Sequence, residues 1–293
     1  MLRFPVSMTP RESTPDSIDP LGSALDEVET TWEALAREDP LWAILVEPGK
    51  ERGGWDPSEF FERGRAEIAQ ALSRARGLSL PVSADGRALD FGCGAGRLTQ
   101  GLAAHFAHVD GVDVSPTMIE LARKYNRFPD TCRYHVNPAS DLRLFESNQF
   151  EFIYSNCVLQ HMAPSLALSY IREFVRVLKP AKTLVFQVPD LLGGPKFTAL
   201  SAASHAASRL DLRRRAGRLI GHRDERSPLA EMKMFTISQP IVEGALDRAG
   251  ADVVHVDFLS RAERTFHGPL WERLAQRWNV GFVSKTYYAT KRA

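Results

Sequence analysis

The spacing of apolar residues predicts two helices near the start of the chain. Between residues 21 and 38, apolar side chains recur every three or four positions, which is the pattern of one buried helix face. Pro40 ends this helix, because the residue before a proline is pushed out of the helical conformation. A glycine-rich loop follows. Asp56 and Pro57 then supply an N-cap and a first-turn proline for a second helix that is expected to run to about Arg76.

From residue 81 the pattern changes to short apolar segments that alternate with amphipathic ones. The predicted strands cover residues 88–91, 109–113, 133–136, 150–155, 183–188, 252–258 and 282–290, and the predicted helices cover 98–106, 116–125, 165–178, 238–249 and 269–278. Strands that alternate with helices are typical of parallel strands joined by right-handed crossovers. The pattern therefore predicts an α/β protein with a doubly wound sheet.

The same pattern divides the chain into parts. Residues 1–20 are rich in proline and polar side chains and are expected to be mobile. Residues 21–80 form a predicted helical N-terminal cap, and residues 81–293 form the predicted sheet domain. Within that domain, residues 189–235 break the alternation, and an insertion of this length is typical of a lid or a disordered excursion.

Composition and charge narrow the class of protein. The chain has 293 residues, of which 44% are hydrophobic and 25% charged, as in soluble globular proteins of one or two domains. Its formal net charge of +1 gives no general attraction to nucleic acid, although it leaves room for a local basic patch. No apolar run approaches the roughly 18 residues that span a bilayer, and the N-terminus lacks a signal-peptide pattern. Three cysteines in core-like segments favour a reducing cytoplasm over a disulfide framework.

The strongest chemical signal is a glycine loop that follows the first predicted strand. Gly92, Gly94 and Gly96 have a GxGxG spacing, and glycine suits a backbone that takes positive φ or approaches a ligand closely. Asp113 ends the next strand, where a carboxylate can accept both hydroxyls of an adenosine ribose. These two features leave open a nicotinamide, a flavin or another cofactor that contains adenosine.

Two details favour S-adenosylmethionine over a dinucleotide. The third glycine comes two residues after the second, whereas in the usual dinucleotide loop it comes three residues after the second. Asp90 lies two residues before the first glycine, where an anion would repel a pyrophosphate but would suit an ammonium group. We therefore expect Asp90, Gly92, Gly94, Gly96 and Asp113 to contact S-adenosylmethionine.

Four segments together resemble the class I S-adenosylmethionine-dependent methyltransferases. These segments are ALDFGCGAGRLT at 88–99, GVDVSPTM at 111–118, FEFIYSNCVLQH at 150–161 and VLKP at 177–180. The resemblance covers roughly residues 82–190 and resumes at 236–290. It implies a Rossmann-like sheet of seven strands, parallel except for an antiparallel C-terminal strand.

The resemblance also implies further cofactor contacts. Val114 and Met118 would cover the adenine face, and the backbone amide of Ala139 would donate to the ring. The family commonly has an acid beside the adenine amino group, but Pro138 stands at that place here, so Asn137 or Asp141 is expected to substitute.

Two further groups of residues are expected to contact the other end of the cofactor. Asn156 follows the fourth strand, where the acceptor should meet the cofactor. Arg63 or Arg65, on the second N-terminal helix, is expected to pair with the methionine carboxylate, because arginine binds carboxylates in a bidentate manner.

A hydroxyl acceptor would require a general base. His161 is the first candidate, since an imidazole titrates near neutral pH and lies six residues after Ser155 at the end of the fourth strand. A structural or substrate-orienting role is the alternative for His161, and His267 is the second candidate for the base. No cluster of acidic, histidine or cysteine residues has metal-ligand spacing, so no metal site is predicted.

The sequence therefore predicts a methyltransferase that acts on a small molecule, most simply by O-methylation of a saccharide or natural-product hydroxyl. N- or C-methylation, or a non-catalytic module that binds S-adenosylmethionine, are the alternatives. A nucleic-acid acceptor is disfavoured, because residues 155–158 lack the prolines and aromatic residue that grip a flipped base in many such enzymes.

Overall fold

The computed structural model describes residues 19–192, 232–260 and 281–293, and its central feature is one seven-stranded sheet. Its strands are β1 Arg87–Phe91, β2 His108–Asp113, β3 Cys132–Val136, β4 Phe150–Ser155, β5 Leu178–Leu192, β6 Ala251–Ser260 and β7 Gly281–Lys291. Their order is β3-β2-β1-β4-β5-β7-β6. Strand β7 runs antiparallel to both neighbours, and the other neighbouring pairs are parallel. The predicted sheet is confirmed, including its antiparallel C-terminal strand.

Seven α-helices and one 3₁₀ turn are described around this sheet. They are α1 Pro20–Glu38, α2 Pro40–Ile44, α3 Pro57–Gly77, α4 Arg97–Leu102, α5 Pro116–Tyr125, the 3₁₀ turn Leu159–His161, α6 Pro164–Val177 and α7 Gln239–Ala249. Asp56 caps α3 as the sequence predicts, because its side chain accepts a hydrogen bond from the amide of Glu59. The helix after β1 is shorter than predicted, and β5 begins five residues before the predicted strand and ends four residues after it.

Both faces of the sheet are covered, which explains the continuous apolar runs in its strands. Adjacent residues of one strand belong to opposite cores: Phe152 and Ile153 in β4, and Tyr287 and Tyr288 in β7. Strands buried on both faces require apolar side chains at successive positions rather than at alternate ones.

Helix α1 lies against the start of α5. The carboxylate of Glu33 accepts hydrogen bonds from the hydroxyl of Ser115, at 2.6 Å, and from the amide and hydroxyl of Thr117. Burial alone would raise the pKa of Glu33, but these hydrogen bonds lower it, so the carboxylate stays charged at the positive end of α5. This contact fixes α1 above the carboxyl end of β2.

Helices α3 and α4 pack together through glycine. A Cβ atom at Gly64 would lie 2.4 Å from the carbonyl oxygen of Arg97, and one at Gly101 would lie 2.9 Å from the carbonyl oxygen of Gly64. The two helix backbones can approach this closely only because neither position carries a side chain.

We expect the substitution Gly64→Val to lower the free energy of unfolding by about 1–3 kcal/mol, the usual cost of forcing extra atoms into a packed contact. The change in urea denaturation midpoint would measure this loss. Gly77→Ala is the matched control, since no atom lies within 4 Å of a Cβ at Gly77 on the same helix. A Gly64→Val protein as stable as the control would contradict the close packing.

Several predicted features lie outside the described residues. These are the segment 1–18, most of the insertion (193–231), the helix at 269–278 and His267.

Candidate active site

A pocket opens at the carboxyl ends of β1, β2 and β4. It encloses about 1030 Å³ of space between protein atoms, part of it open to solvent. Helices α1 and α2 form one wall with Leu25, Val28, Trp32 and Ile44. The other lining residues are Leu45, Glu67, Phe91, Gly92, Cys93, Gly94, Arg97, Leu98, Val112, Asp113, Val114, Asn137, Asn156, Cys157, Val158, Met162 and Tyr170. Because β1 lies between β2 and β4, the pocket lies at the point where the strand order reverses, which is where open α/β sheets bind ligands.

The glycine loop forms the floor of this pocket. Gly92, Gly94 and Gly96 have φ angles of 75°, 51° and 84°, a backbone conformation that side chains disfavour. A Cβ atom at Gly92 would lie 2.3 Å from Val158, and one at Gly96 would lie 2.6 Å from the hydroxyl of Tyr134. The loop can therefore fold against its neighbours only with glycine at these positions.

Asp113 lies at the end of β2 and lines the pocket. Its carboxylate accepts hydrogen bonds from the backbone amides of Gly94 and Ser115, each at 2.9 Å. Burial raises the pKa of Asp113 even though these hydrogen bonds act in the opposite direction. The structure thus brings the predicted ribose acid and the glycine loop together.

Asp90 lies beneath the loop and does not line the pocket. It is 1% exposed and accepts a 2.6 Å hydrogen bond from the hydroxyl of Thr99. Its other oxygen has no hydrogen-bond partner among the described residues. Burial raises the pKa of Asp90 to about 7, so its charge is sensitive to any cation that approaches.

The residues expected around an adenine ring are close together, but only some line the pocket. Val114 and Asn137 do, whereas Met118 is fully buried below them. The side-chain amide of Asn137 donates to the backbone carbonyl oxygens of Ala139, at 3.1 Å, and Asp141, at 2.9 Å. These hydrogen bonds fix the turn after β3.

The side chain of Asp141 pairs with Arg143 and does not line the pocket. Of the two residues expected to replace the missing acid, Asn137 is therefore the one that the pocket contains.

Two predicted arginines lie away from the pocket. Arg63 is half exposed and lies 3.4 Å from both Glu47 and Glu59, while Arg65 pairs with Glu62 on the same helix. The arginine that lines the pocket is Arg97, which directly follows the glycine loop.

Arg97 is paired with Glu67 of α3 at 2.8 Å. Glu67 also accepts a 2.6 Å hydrogen bond from the amide of Asn156 and a 3.2 Å bond from the hydroxyl of Tyr154. The sequence offers one signal for this pair: Glu67 lies three residues after Gly64, on the same face of the helix. Its partner Arg97 could not be found from this spacing, because it lies 30 positions further along the chain.

Comparison with known proteins agrees with this geometry. Residues 88–181 match the family model described as a methyltransferase domain. The chain contains a class I S-adenosylmethionine-dependent methyltransferase domain. This confirms the resemblance that the four segments predicted.

Two curated relatives are similar to part of this chain. The trans-aconitate 2-methyltransferase of Methylobacterium radiotolerans is 32% identical over 162 residues, which are 51% of this chain and 55% of that protein. The ubiquinone biosynthesis O-methyltransferase of Xanthomonas campestris is 31% identical over 99 residues, which are 33% of this chain and 41% of that protein. The chain thus spans about half the length of the curated relatives it matches.

The fold of the methyltransferase domain also matches solved structures. The geranyl diphosphate C-methyltransferase of Streptomyces coelicolor, solved with Mg²⁺, geranyl diphosphate and S-adenosylhomocysteine, aligns with a TM-score of 0.57 and 15% identity. The alignment covers 95% of this chain and all of that chain. At this identity the likeness supports the fold alone.

His161 of the methyltransferase domain lies behind the pocket wall and does not line it. Its ring packs edge-on against Trp32, with ring centroids 5.4 Å apart. Nδ1 lies 3.3 Å from the carbonyl oxygen of Lys233, and Nε2 lies 3.0 Å from the amide nitrogen of Gln160. Burial lowers the pKa of His161 to about 4, which differs from the expectation of a group that titrates near neutral pH.

The low pKa of His161 predicts a loss of stability in acid. Between pH 6.5 and about 4 the unfolded chain would bind a proton at this residue that the folded chain does not, so the free energy of unfolding falls as the pH falls. The loss is on the order of 3 kcal/mol across that window. His161→Gln should remove it in urea titrations at pH 7 and pH 4.5, whereas the exposed control His108→Gln should keep it. An unchanged pH dependence in His161→Gln would show that the imidazole is not held neutral.

Neither a metal-binding cluster nor a membrane-spanning helix is present among the described residues. Within ranges 19–192, 232–260 and 281–293, no three His, Cys, Asp or Glu side chains form a group that could hold a metal ion. No described helix is both long and apolar enough to cross a membrane.

Proposed function

We propose that the protein binds S-adenosylmethionine in this pocket and transfers its methyl group to a small-molecule acceptor, leaving S-adenosylhomocysteine. The observation that carries the proposal is the position of Asp113. Its carboxylate is fixed by the amide of Gly94 at the reversal point of the sheet, beside a pocket lined by the glycine loop. This is the arrangement that a ribose with two free hydroxyls requires.

The residues of the pocket fit this cofactor. Apolar side chains such as Val112 and Val114 suit an adenine face, and Asp113 suits the ribose. The charged lining residues are two carboxylates, Glu67 and Asp113, and one guanidinium, Arg97, so that they sum to one negative charge. A negative pocket favours a ligand whose sulfonium carries a positive charge.

The chemistry of methyl transfer asks little of the protein beyond alignment. S-adenosylmethionine supplies an electrophilic methyl carbon on positively charged sulfur. The protein must hold the nucleophile in line with that carbon, and proximity of this kind contributes several kcal/mol. Wall residues Leu25, Val28 and Trp32 can keep water from the reacting atoms, in keeping with a cap formed by residues 21–80.

We propose a hydroxyl of a saccharide or natural product as the acceptor, with O-methylation as the reaction. A relative named as an O-methyltransferase supports this class, and the reaction would need a group that accepts the hydroxyl proton. His161 remains the proposed base: its low pKa keeps the imidazole unprotonated at neutral pH, although a pKa of about 4 also makes it a weak proton acceptor. Trp32 lies between His161 and the pocket, so the imidazole would have to contact the acceptor past this side chain. His267 is the alternative base.

We place the reaction in the cytoplasm and assign it no nucleic-acid partner. The buried thiols of Cys93 and Cys132, which form no disulfide, suit a reducing compartment. The formal net charge of +1 gives no general attraction to nucleic acid.

A radiolabel screen tests the proposed reaction. The protein would be incubated with S-adenosylmethionine labelled in the methyl group and with pools of saccharides, phenols, carboxylic acids, amines and DNA. Label in a saccharide or phenol pool would support O-methylation. Label only in the amine pool would replace this by N-methylation, and label in DNA would overturn the small-molecule class.

A further inference from the structure

A second concave site lies at the opposite edge of the sheet from the active-site pocket. It encloses about 370 Å³ of space between protein atoms, part of it open to solvent. We call it the amino-end cleft, because its residues lie around the amino ends of β1, β2 and β3, and none of them lines the active-site pocket. They are Arg87, His108, Val109, Asp110, Thr131 and Arg133.

The connection between β3 and β4 leaves this part of the sheet uncovered. Residues 137–149, all of them described, contain no helix, and they reach the core of this face through Leu142 and Phe145. Phe145 packs edge-on against Phe150 and His135, with ring centroids 4.9 Å and 5.5 Å apart. Nearer the amino ends of the strands, the same face carries charged side chains in place of apolar ones.

Strand alternation and register place these charges together. Successive side chains of a strand point to opposite faces, so Arg87 shares a face with Leu89, and Asp110 shares it with Val112. Leu89 and Val112 belong to one core cluster, which confirms that the face is the same. Asp110 lies opposite Arg133 in the register of β2 and β3. The two arginines therefore flank β2 from its two neighbouring strands.

The carboxylate of the cleft is occupied by partners within the protein. One oxygen of Asp110 accepts a 2.5 Å hydrogen bond from Nε of Arg87, and the other lies 2.8 Å from Nε2 of His135. The terminal nitrogens of Arg87 have no hydrogen-bond partner among the described residues. Arg133 is exposed, and it forms no ion pair within the described ranges. Both guanidinium groups thus keep N–H donors for a ligand.

The charge balance of the cleft favours an anion. Its two guanidinium groups and one carboxylate sum to one positive charge, without counting histidine. A second carboxylate that acts on Arg87, that of Glu151, is paired with Lys179. Arg87 also lies over the ring of Phe150, 5.5 Å from the centroid, so its guanidinium is held in position before a ligand arrives. A positioned guanidinium with free N–H groups suits the oxygens of a phosphate, which it can bind in a bidentate manner.

We propose that the amino-end cleft binds a phosphate group, either free or as the monoester of a small organic molecule. The terminal nitrogens of Arg87 and the guanidinium of Arg133 donate to its oxygens from the two sides of β2. His108 lies beside Arg87 in the register of β1 and β2, where its ring can donate one further hydrogen bond. The site is separate from the pocket assigned to S-adenosylmethionine, so this proposal does not rest on the proposed function.

A titration of the full chain with inorganic phosphate, followed by backbone amide NMR signals, tests the proposal. We expect saturable changes at residues 87, 108, 131 and 133, and none of this kind with sodium chloride at the same ionic strength. A parallel titration with glycerol 3-phosphate distinguishes the two sources of the phosphate group. Tighter binding of the ester would favour a phosphorylated metabolite, and tighter binding of phosphate would favour the free ion.

Two variants and a control connect the binding to the arginines. Arg133→Gln should weaken phosphate binding roughly 10-fold, as for the loss of a hydrogen bond to a charged group, and Arg87→Gln should weaken it at least as much. Arg172→Gln is the matched control, since Arg172 is an exposed arginine on α6 that lines neither site. It should keep the phosphate affinity within about twofold. Arg133→Gln should also keep its affinity for S-adenosylhomocysteine.

Three results would overturn the proposal. The first is equal weakening in Arg133→Gln and Arg172→Gln, because phosphate would then respond to net charge alone. The second is a set of amide changes that does not saturate or that chloride reproduces. The third is competition between phosphate and saturating S-adenosylhomocysteine, which would place the phosphate in the active-site pocket. Where Arg87→Gln does not fold by circular dichroism, because Asp110 has lost a partner, Arg133→Gln decides. Failure of the chain to bind S-adenosylhomocysteine would overturn the proposed function and leave this proposal standing.

Discussion

The variant Gly94→Val is expected to lose at least 100-fold in affinity for S-adenosylhomocysteine. Gly94 has a φ of 51°, which a β-branched residue strongly disfavours. A Cβ atom there would also lie 2.7 Å from the Cδ1 atom of Ile44, across the pocket. The end of the Ile44 side chain can move aside, but relief of the backbone strain requires the loop to move, and that movement would separate the amide of Gly94 from Asp113.

A second glycine in the left-handed conformation provides the control for Gly94→Val. Gly49 has a φ of 83°, lies outside the pocket, and has open space on the side where a Cβ atom would project, with no atom within 4 Å. Gly49→Val should cost stability through backbone strain but leave ligand affinity within about twofold, because its strain cannot reach the pocket. Normal binding by Gly94→Val in calorimetry would show that the cofactor does not lie on this loop.

The substitution Asp113→Ala is expected to weaken S-adenosylhomocysteine binding by about 1–3 kcal/mol, or roughly 10- to 100-fold. It removes the acceptor for the ribose hydroxyls and also for the amides of Gly94 and Ser115. Those amides would then be left in a buried place without their partner. Calorimetry at fixed pH and salt would measure the change.

Asp110 is the matched control for Asp113, since it lies on the same strand and is also buried. Its carboxylate pairs with Arg87 and His135, and none of these three residues lines the pocket. Asp110→Asn should lower stability, because it weakens the partly buried ion pair with Arg87 and the hydrogen bond with His135, and should leave the affinity unchanged. If Asp113→Ala binds S-adenosylhomocysteine as tightly as Asp110→Asn does, Asp113 does not belong to the cofactor site.

The sequence was most informative where the determinants of structure are local. The glycine loop, the strand ends and the proline and aspartate caps each depend on residues within a few positions, and the structure confirms the sheet that they predicted. The expectation for Asp113 and Gly94 followed from the same local logic, because parallel strands bring their carboxyl ends to one edge.

The less successful expectations concern contacts between distant segments. The sequence analysis expects Arg63 or Arg65 at the pocket, whereas the packing of Gly64 against α4 brings Arg97 there instead. The imidazole of His161 is enclosed by Trp32 from α1 and by the carbonyl of Lys233. Neither neighbour is visible from the spacing around His161, so the low pKa could not be predicted from the sequence.

The most direct test of the account is a calorimetric titration of the full chain with S-adenosylhomocysteine and, separately, with NAD. We expect saturable binding of one S-adenosylhomocysteine per chain, lost in Gly94→Val, and no binding of NAD, because Asp90 and the glycine spacing are unsuited to a pyrophosphate. Binding of NAD in place of S-adenosylhomocysteine would contradict it.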